Sequence, residues 1–138
     1  MTLNEDLIRE RFRDIQQSLE RLEGIRAQPL DRFLSDQDMR DVACYRLLIA
    51  MEAALQICFH VSARRMRRVP EHYADCFAIL GEGGILPQEL SQALQRMVRF
   101  RNMLVHIYWN VDYEQVYKIL QEHLDDLRAF VQAVGELL

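Results

Sequence analysis

At 138 residues the chain is one domain's worth and long enough to bury a sizeable core. Half of its residues are hydrophobic and 28% are charged, which excludes a disordered chain, and no apolar run approaches the roughly 18–20 residues that a membrane span requires. A net charge of −4 argues against a protein that coats nucleic acid by bulk electrostatics, while leaving room for a local basic cleft.

Acids among the first ten residues stand where a secretory leader would carry a basic and then an apolar stretch, so a cytoplasmic protein is expected. Ile8, Phe12, Ile15, Leu19, Leu22 and Ile25 recur at steps of three and four, which predicts an amphipathic helix over about 4–27 that stops before Pro29. A short connector, 30–34, follows. Ser35 with Asp38 resembles a capping box and opens a second long helix, to about residue 66. Ala43, Leu47, Ala50, Met51, Ala54, Leu55 and Cys58 give it a broad apolar face, as a central helix would have. Arg64, Arg65, Arg67 and Arg68 at its end read equally as cations favoured at a helix C-terminus or as RNA contacts.

Pro70 opens a third helix over about 70–80, ended by Gly81, Gly83 and Gly84. Pro87, Gln88 and Glu89 open a fourth that runs towards Tyr108 and carries a second basic group, Arg96, Arg99 and Arg101. Asp112 with Gln115 caps a fifth, which continues to the C-terminus through Val116, Ile119, Leu120, Leu127 and Phe130. Strand signals are nearly absent, and no repeat or linker divides the chain. The expected fold is therefore a single all-α bundle, 1–138, of about five helices, two of them long and antiparallel.

Cys44, Cys58 and Cys76 are odd in number and form no C-x-x-C pair. His60 and His72 lie near two of them, but neither pairing extends to the four ligands of a structural zinc site. Reduced, buried thiols are expected, with no metal and no cofactor.

The segment that carries chemistry is Arg99-Phe100-Arg101-Asn102-Met103-Leu104-Val105-His106-Ile107-Tyr108-Trp109. On a helix at about 100° per residue, Phe100, Met103, Leu104 and Ile107 group on a core side and Asn102 shares a face with His106. Tyr108, seven residues after Arg101, falls above it, and Arg101 is expected on the solvent side. A cation, an amide, an imidazole and a phenol suit metal-free RNA cleavage. The imidazole, with an ordinary pKa of roughly 6.5, can take the 2′-hydroxyl proton. A guanidinium offers paired donors to the phosphoryl oxygens as charge gathers there. In-line cleavage needs both a base and an acid, whereas the segment supplies one histidine, so a two-fold homodimer with a composite site is expected. Spacing alone leaves surface or ion-pair roles open. His60 reads as a half-buried helix residue, His72 and His123 as solvated, and Trp109 and Tyr113 as packing residues.

Arg101 to Tyr108 resembles the R-x4-H-x-Y signature of HepT-like toxins in the HEPN superfamily. The stretches Arg68–Phe77, Ile79–Leu86, Tyr108–Asp112 and Asp126–Phe130 also resemble that family in kind and order, so the likeness runs from about Ile8 onward. The resemblance implies a dimeric, metal-independent endoribonuclease with Arg101 and His106 catalytic and Asn102 supporting them. It also implies a toxin–antitoxin partner, an MntA-like nucleotidyltransferase that transfers AMP to the signature tyrosine, here Tyr108. Arg64, Arg65, Arg67, Arg68 and Arg99 are the candidate RNA contacts. Some relatives carry an acid on the central helix near the position of Gln56, a departure that leaves the part played by His60 open. A non-catalytic HEPN module that binds a nucleotide or a partner protein is the competing expectation, followed by a purely structural dimerisation bundle.

Overall fold

In the computed structural model, which describes residues 2–138, the Asn4 side chain accepts a hydrogen bond from Leu7 N at 3.1 Å and so starts helix α1, Glu5–Arg26. Glu5 and Asp6 in its first turn and Arg26 in its last complement the helix dipole. The predicted stripe from Ile8 to Ile25 is the face it buries. The expected connector is instead a short helix, α2, Leu30–Ser35, which Pro29 opens and which seats Phe33 in the core. Ser35 ends that helix, donating to the Arg32 carbonyl at 3.1 Å. The cap of α3, Gln37–Arg65, is Asp36, whose carboxylate accepts from Met39 N at 3.0 Å.

Helix α3 touches all six other helices, as its broad apolar face predicts. By length and composition it is apolar enough to cross a membrane, contrary to the sequence expectation, but it lies at the centre of the bundle. The pairing with α1 is antiparallel: Asn4 meets His60, and Arg11 meets Gln56. After α3 the chain folds back on Ser62, whose hydroxyl donates to the Arg68 carbonyl at 2.8 Å. Val69 and Pro70 are in no helix, and α4, Tyr73–Glu82, begins later than Pro70 suggested, where Asp75 accepts from His72 N at 3.1 Å.

Helix α4 packs closely on α5, Gln88–His106. A Cβ at Gly81 would stand 2.6 Å from Ser91 Oγ, so only glycine permits this approach. Gly84, at φ +77°, supplies the left-handed turn between the two helices. Asp112 caps α6, Tyr113–Glu122, as expected, but the predicted fifth helix is broken at His123 (φ −123°), and α7, Leu124–Gly135, follows. The observed bundle thus has seven α-helices among the described residues and no strand.

Candidate active site

The buried face of α5 is built from Leu94, Met97, Val98, Phe100 and Leu104, and Arg101 lies among them at 9% exposure. This corrects the expectation that Arg101 faces solvent. Its neighbours at three and four residues are apolar, so helical geometry carries it inward. The charge is met by Glu52 on α3, whose carboxylate accepts from Arg101 Nε at 2.5 Å. Arg101 Nη1 donates to Asn102 Oδ1 at 2.9 Å. The guanidinium carbon stands 4.6 Å from the centre of the Tyr73 ring, at the start of α4. Three helices therefore fix one guanidinium.

His106 is the last residue of α5 and is exposed. Ile107 N closes the helix on the Met103 carbonyl at 2.8 Å, and Ile107, at φ −128° and ψ 41°, leaves helical geometry. Two expectations fall with that ending. Ile107 is 43% exposed rather than core, and Tyr108 lies beyond the helix instead of stacking above Arg101. Tyr108 is 71% exposed and packs edge-on against Trp109, with ring centres 5.3 Å apart. Trp109 is no core residue either. Tyr108 also borders a shallow recess of about 190 Å³ beside Tyr45, Leu104 and Tyr113. Tyr113 is half-buried under the Arg40 guanidinium, a packing role.

Asn102 and His106, one turn apart, share a stripe with exposed Arg99, as the spacing predicted. Of the other arginines, Arg64 donates to the Thr2 carbonyl at 3.4 Å and Arg68 pairs with Glu82 at 2.6 Å, both at the exposed surface. Arg65 and Arg67 stand in solvent, Arg67 in the left-handed region at φ +55°.

Two of the other histidines, His60 and His123, make structural contacts. His60 Nε2 accepts from Asn4 N at 2.8 Å, which pins the start of α1, and burial with the nearby Arg64 charge holds its pKa below the ordinary value. His123 is half-buried rather than solvated, with Nδ1 2.9 Å from Asp126 at the α6–α7 junction. Exposed His72 stands at the start of α4. The three thiols are free. Burial pushes Cys44 up to about 11, with help from Asp41, and raises Cys58, which also hydrogen-bonds Cys76. Gln56 accepts from Arg11 at 3.2 Å.

Sequence reasoning missed Glu52 and Tyr73. Glu52 is the sole acid between Asp41 and Glu71, set inside the apolar face of the central helix, and that isolation was a usable signal. It lies one turn before Gln56. Tyr73 gave no local sign, because its partner is distant in the chain.

An all-α bundle that directs a buried Arg, its neighbouring Asn and a helix-terminal His to one end of α5 is the architecture of a HEPN domain. A family model described as "Ribonuclease HepT-like" matches residues 15–134, and the chain belongs to that family. It is 26% identical over 129 residues to the mRNA nuclease HepT of Shewanella oneidensis, covering 94% of this chain and 96% of that one. A second curated relative, from Archaeoglobus fulgidus, is 34% identical over 94 residues, covering 68% of this chain and 70% of its own. Among solved structures, the tri-AMPylated HEPN toxin of Shewanella oneidensis in complex with MNT antitoxin aligns with a TM-score of 0.88 at 25% identity, over 99% of both chains. A toxin–antitoxin crystal structure with AMP-PNP aligns equally well, at 24% identity over 95% of this chain and 98% of the other, a likeness of fold.

Proposed function

We propose that this chain is the endoribonuclease toxin of a toxin–antitoxin pair, acting in the cytoplasm without a metal ion. The observation that carries the reading is the immobilised Arg101 guanidinium: Nε is held by Glu52 and Nη1 by Asn102, and His106 ends the same helix. The remaining guanidinium N–H groups can meet phosphoryl oxygens. His106 takes the proton of the ribose 2′-hydroxyl, and that oxygen attacks the adjacent phosphorus. The bond from phosphorus to the 5′-oxygen breaks, a proton reaches the leaving oxygen, and a 2′,3′-cyclic phosphate remains. DNA lacks the nucleophile and should survive.

The second proton donor comes from a second copy of the chain. His106 and the large apolar side chains Val105, Ile107, Tyr108 and Trp109 are all exposed at one end of α5, a surface suited to burial against a two-fold mate. Arg99, on the stripe of Asn102 and His106, then extends the phosphate track, and Arg65 and Arg67 are further RNA contacts. An MntA-like nucleotidyltransferase antitoxin transfers AMP from ATP to Tyr108. The phenol oxygen bonds to the α-phosphorus, pyrophosphate leaves and the phenolic proton is released. High exposure and a position off the helix leave that hydroxyl accessible, and the added phosphate charge arrives beside His106 rather than above Arg101.

One observation favours the competing module reading: at 9% exposure Arg101 resembles a structural ion-pair residue. Incubation with RNA in EDTA separates the two. Cleavage by the parent, none by Arg101→Ala or His106→Ala, and intact DNA are expected. RNA or nucleotide binding without cleavage would instead make this a binding module, and loss of both would leave a dimerisation bundle. Co-expression with the antitoxin should add AMP-sized increments to the intact mass of the parent and none to Tyr108→Phe.

A further inference from the structure

We infer that Tyr73 is a positioning residue for Arg101, and through it for the phosphodiester; the inference rests on the ribonuclease reading above. The Arg101 guanidinium carbon stands over the Tyr73 ring, 4.6 Å from the centre, and the ring is itself braced edge-on by Phe59 on α3, with ring centres 5.7 Å apart at 89°. Glu52 fixes the guanidinium at Nε and Asn102 fixes it at Nη1, both by hydrogen bonds. Those two bonds engage donors on opposite sides of the Cζ–Nε bond, and neither touches the face of the group. The ring adds a contact on that face, so the free N–H groups, both on Nη2 and one on Nη1, keep one direction, where an oxyanion can be met without reorganisation.

Burial alone does not explain the choice of residue. Tyr73 is 43% exposed, and its hydroxyl has no hydrogen-bond partner among the described residues. A branched aliphatic side chain would cover as much of Phe59. What tyrosine adds is a flat, electron-rich face matched to a flat cation. The neighbouring turn is capped: His72 N donates to Asp75 Oδ2 at 3.1 Å, which fixes the backbone where α4 begins at Tyr73.

The test is steady-state cleavage of a short fluorogenic RNA by the full-length protein in EDTA, comparing the parent with Tyr73→Leu, Tyr73→Met, Tyr73→Phe and Arg101→Ala. Tyr73→Leu and Tyr73→Met should lower kcat by roughly 3- to 30-fold, the span of a guanidinium–aromatic contact, with KM within about twofold. Tyr73→Phe, which returns the ring, should recover most of the loss. Circular dichroism selects the folded variants, and the two aliphatic side chains give independent chances of one. Parent-like kcat in either aliphatic variant, with Arg101→Ala inactive, overturns the inference and spares the ribonuclease reading. Raised KM at parent kcat overturns it in favour of base contact, and equal loss in Tyr73→Phe overturns it in favour of the hydroxyl. Full activity in Arg101→Ala removes the ribonuclease site and the inference together.

Discussion

Removing either member of the Arg101–Glu52 pair deletes the same interaction, yet the two substitutions should differ in cost. The Arg101 side chain is 10% exposed and that of Glu52 38% exposed. Glu52→Ala strands a guanidinium inside the bundle, with Asn102 as its one remaining hydrogen-bond acceptor. Truncating one member of a fully buried pair costs roughly 3–5 kcal/mol, and an exposed pair contributes about 0–1 kcal/mol. A pair with one sealed and one half-open member falls between, at about 2 kcal/mol. For a chain of this length that lowers Tm by roughly 6–10 °C. Arg101→Met keeps an unbranched stem between Val98 and Leu104 and leaves Glu52, which can turn to water. Its cost should stay under about 1 kcal/mol. Calorimetric melts at pH 7 and one fixed protein concentration, since self-association would make Tm depend on concentration, measure both. Arg101→Met should be nearly as stable as the parent and inactive on RNA. Equal losses, or a larger loss in Arg101→Met, would refute the claim that the stranded cation sets the cost.

Three further outcomes follow from the same geometry. His106→Ala, at an exposed helix end, should abolish cleavage while changing stability by less than about 0.5 kcal/mol, read from urea unfolding. His60 accepts from Asn4 N and must be neutral to do so, and its folded pKa lies below the ordinary 6.5. Its contribution to stability is therefore complete above about 6.5 and lost as pH falls through the lower folded value, so His60→Gln should flatten the drop in Tm between pH 7 and 5. Gly81→Ala drives a Cβ to 2.6 Å from Ser91 Oγ, which the Phe77 carbonyl holds at 2.8 Å. Thermal melts should show a loss of roughly 1–3 kcal/mol, part of which Ser91→Gly in the same chain recovers.

Where information was local, the sequence was legible. The stripe from Ile8 to Ile25, the Asp112 cap and the turn at Gly83 and Gly84 each depend on residues a few positions apart and are where they were expected, although Gly81 lies inside α4 rather than ending it. The breaks were harder. The α5 ending at His106 and the α6–α7 break at His123 interrupt apolar periodicity that runs on through Ile107 and Leu124. The periodicity was right about Leu124, which is buried, and wrong about Ile107, which is exposed; it carried no signal of where backbone hydrogen bonding stops.

Arg101 is the instructive failure. Val98 and Leu104 three residues either side, with Met97 and Leu94 beyond, placed position 101 on the buried face by the same rule that located the core. The charge overrode the pattern, because its neutralising partner is 49 residues away on another helix. A cation at a core position predicts a distant acid, and the lone Glu52 in the apolar face of α3 was the candidate. That burial also divides the labour within the site. Arg101 is fixed by the fold of one chain, whereas His106 stands exposed at a helix end with nothing to orient it among the described residues. A nuclease needs both groups ordered on one phosphate. The chain orders the guanidinium by itself; under the proposed two-fold arrangement the imidazole is ordered by the second copy.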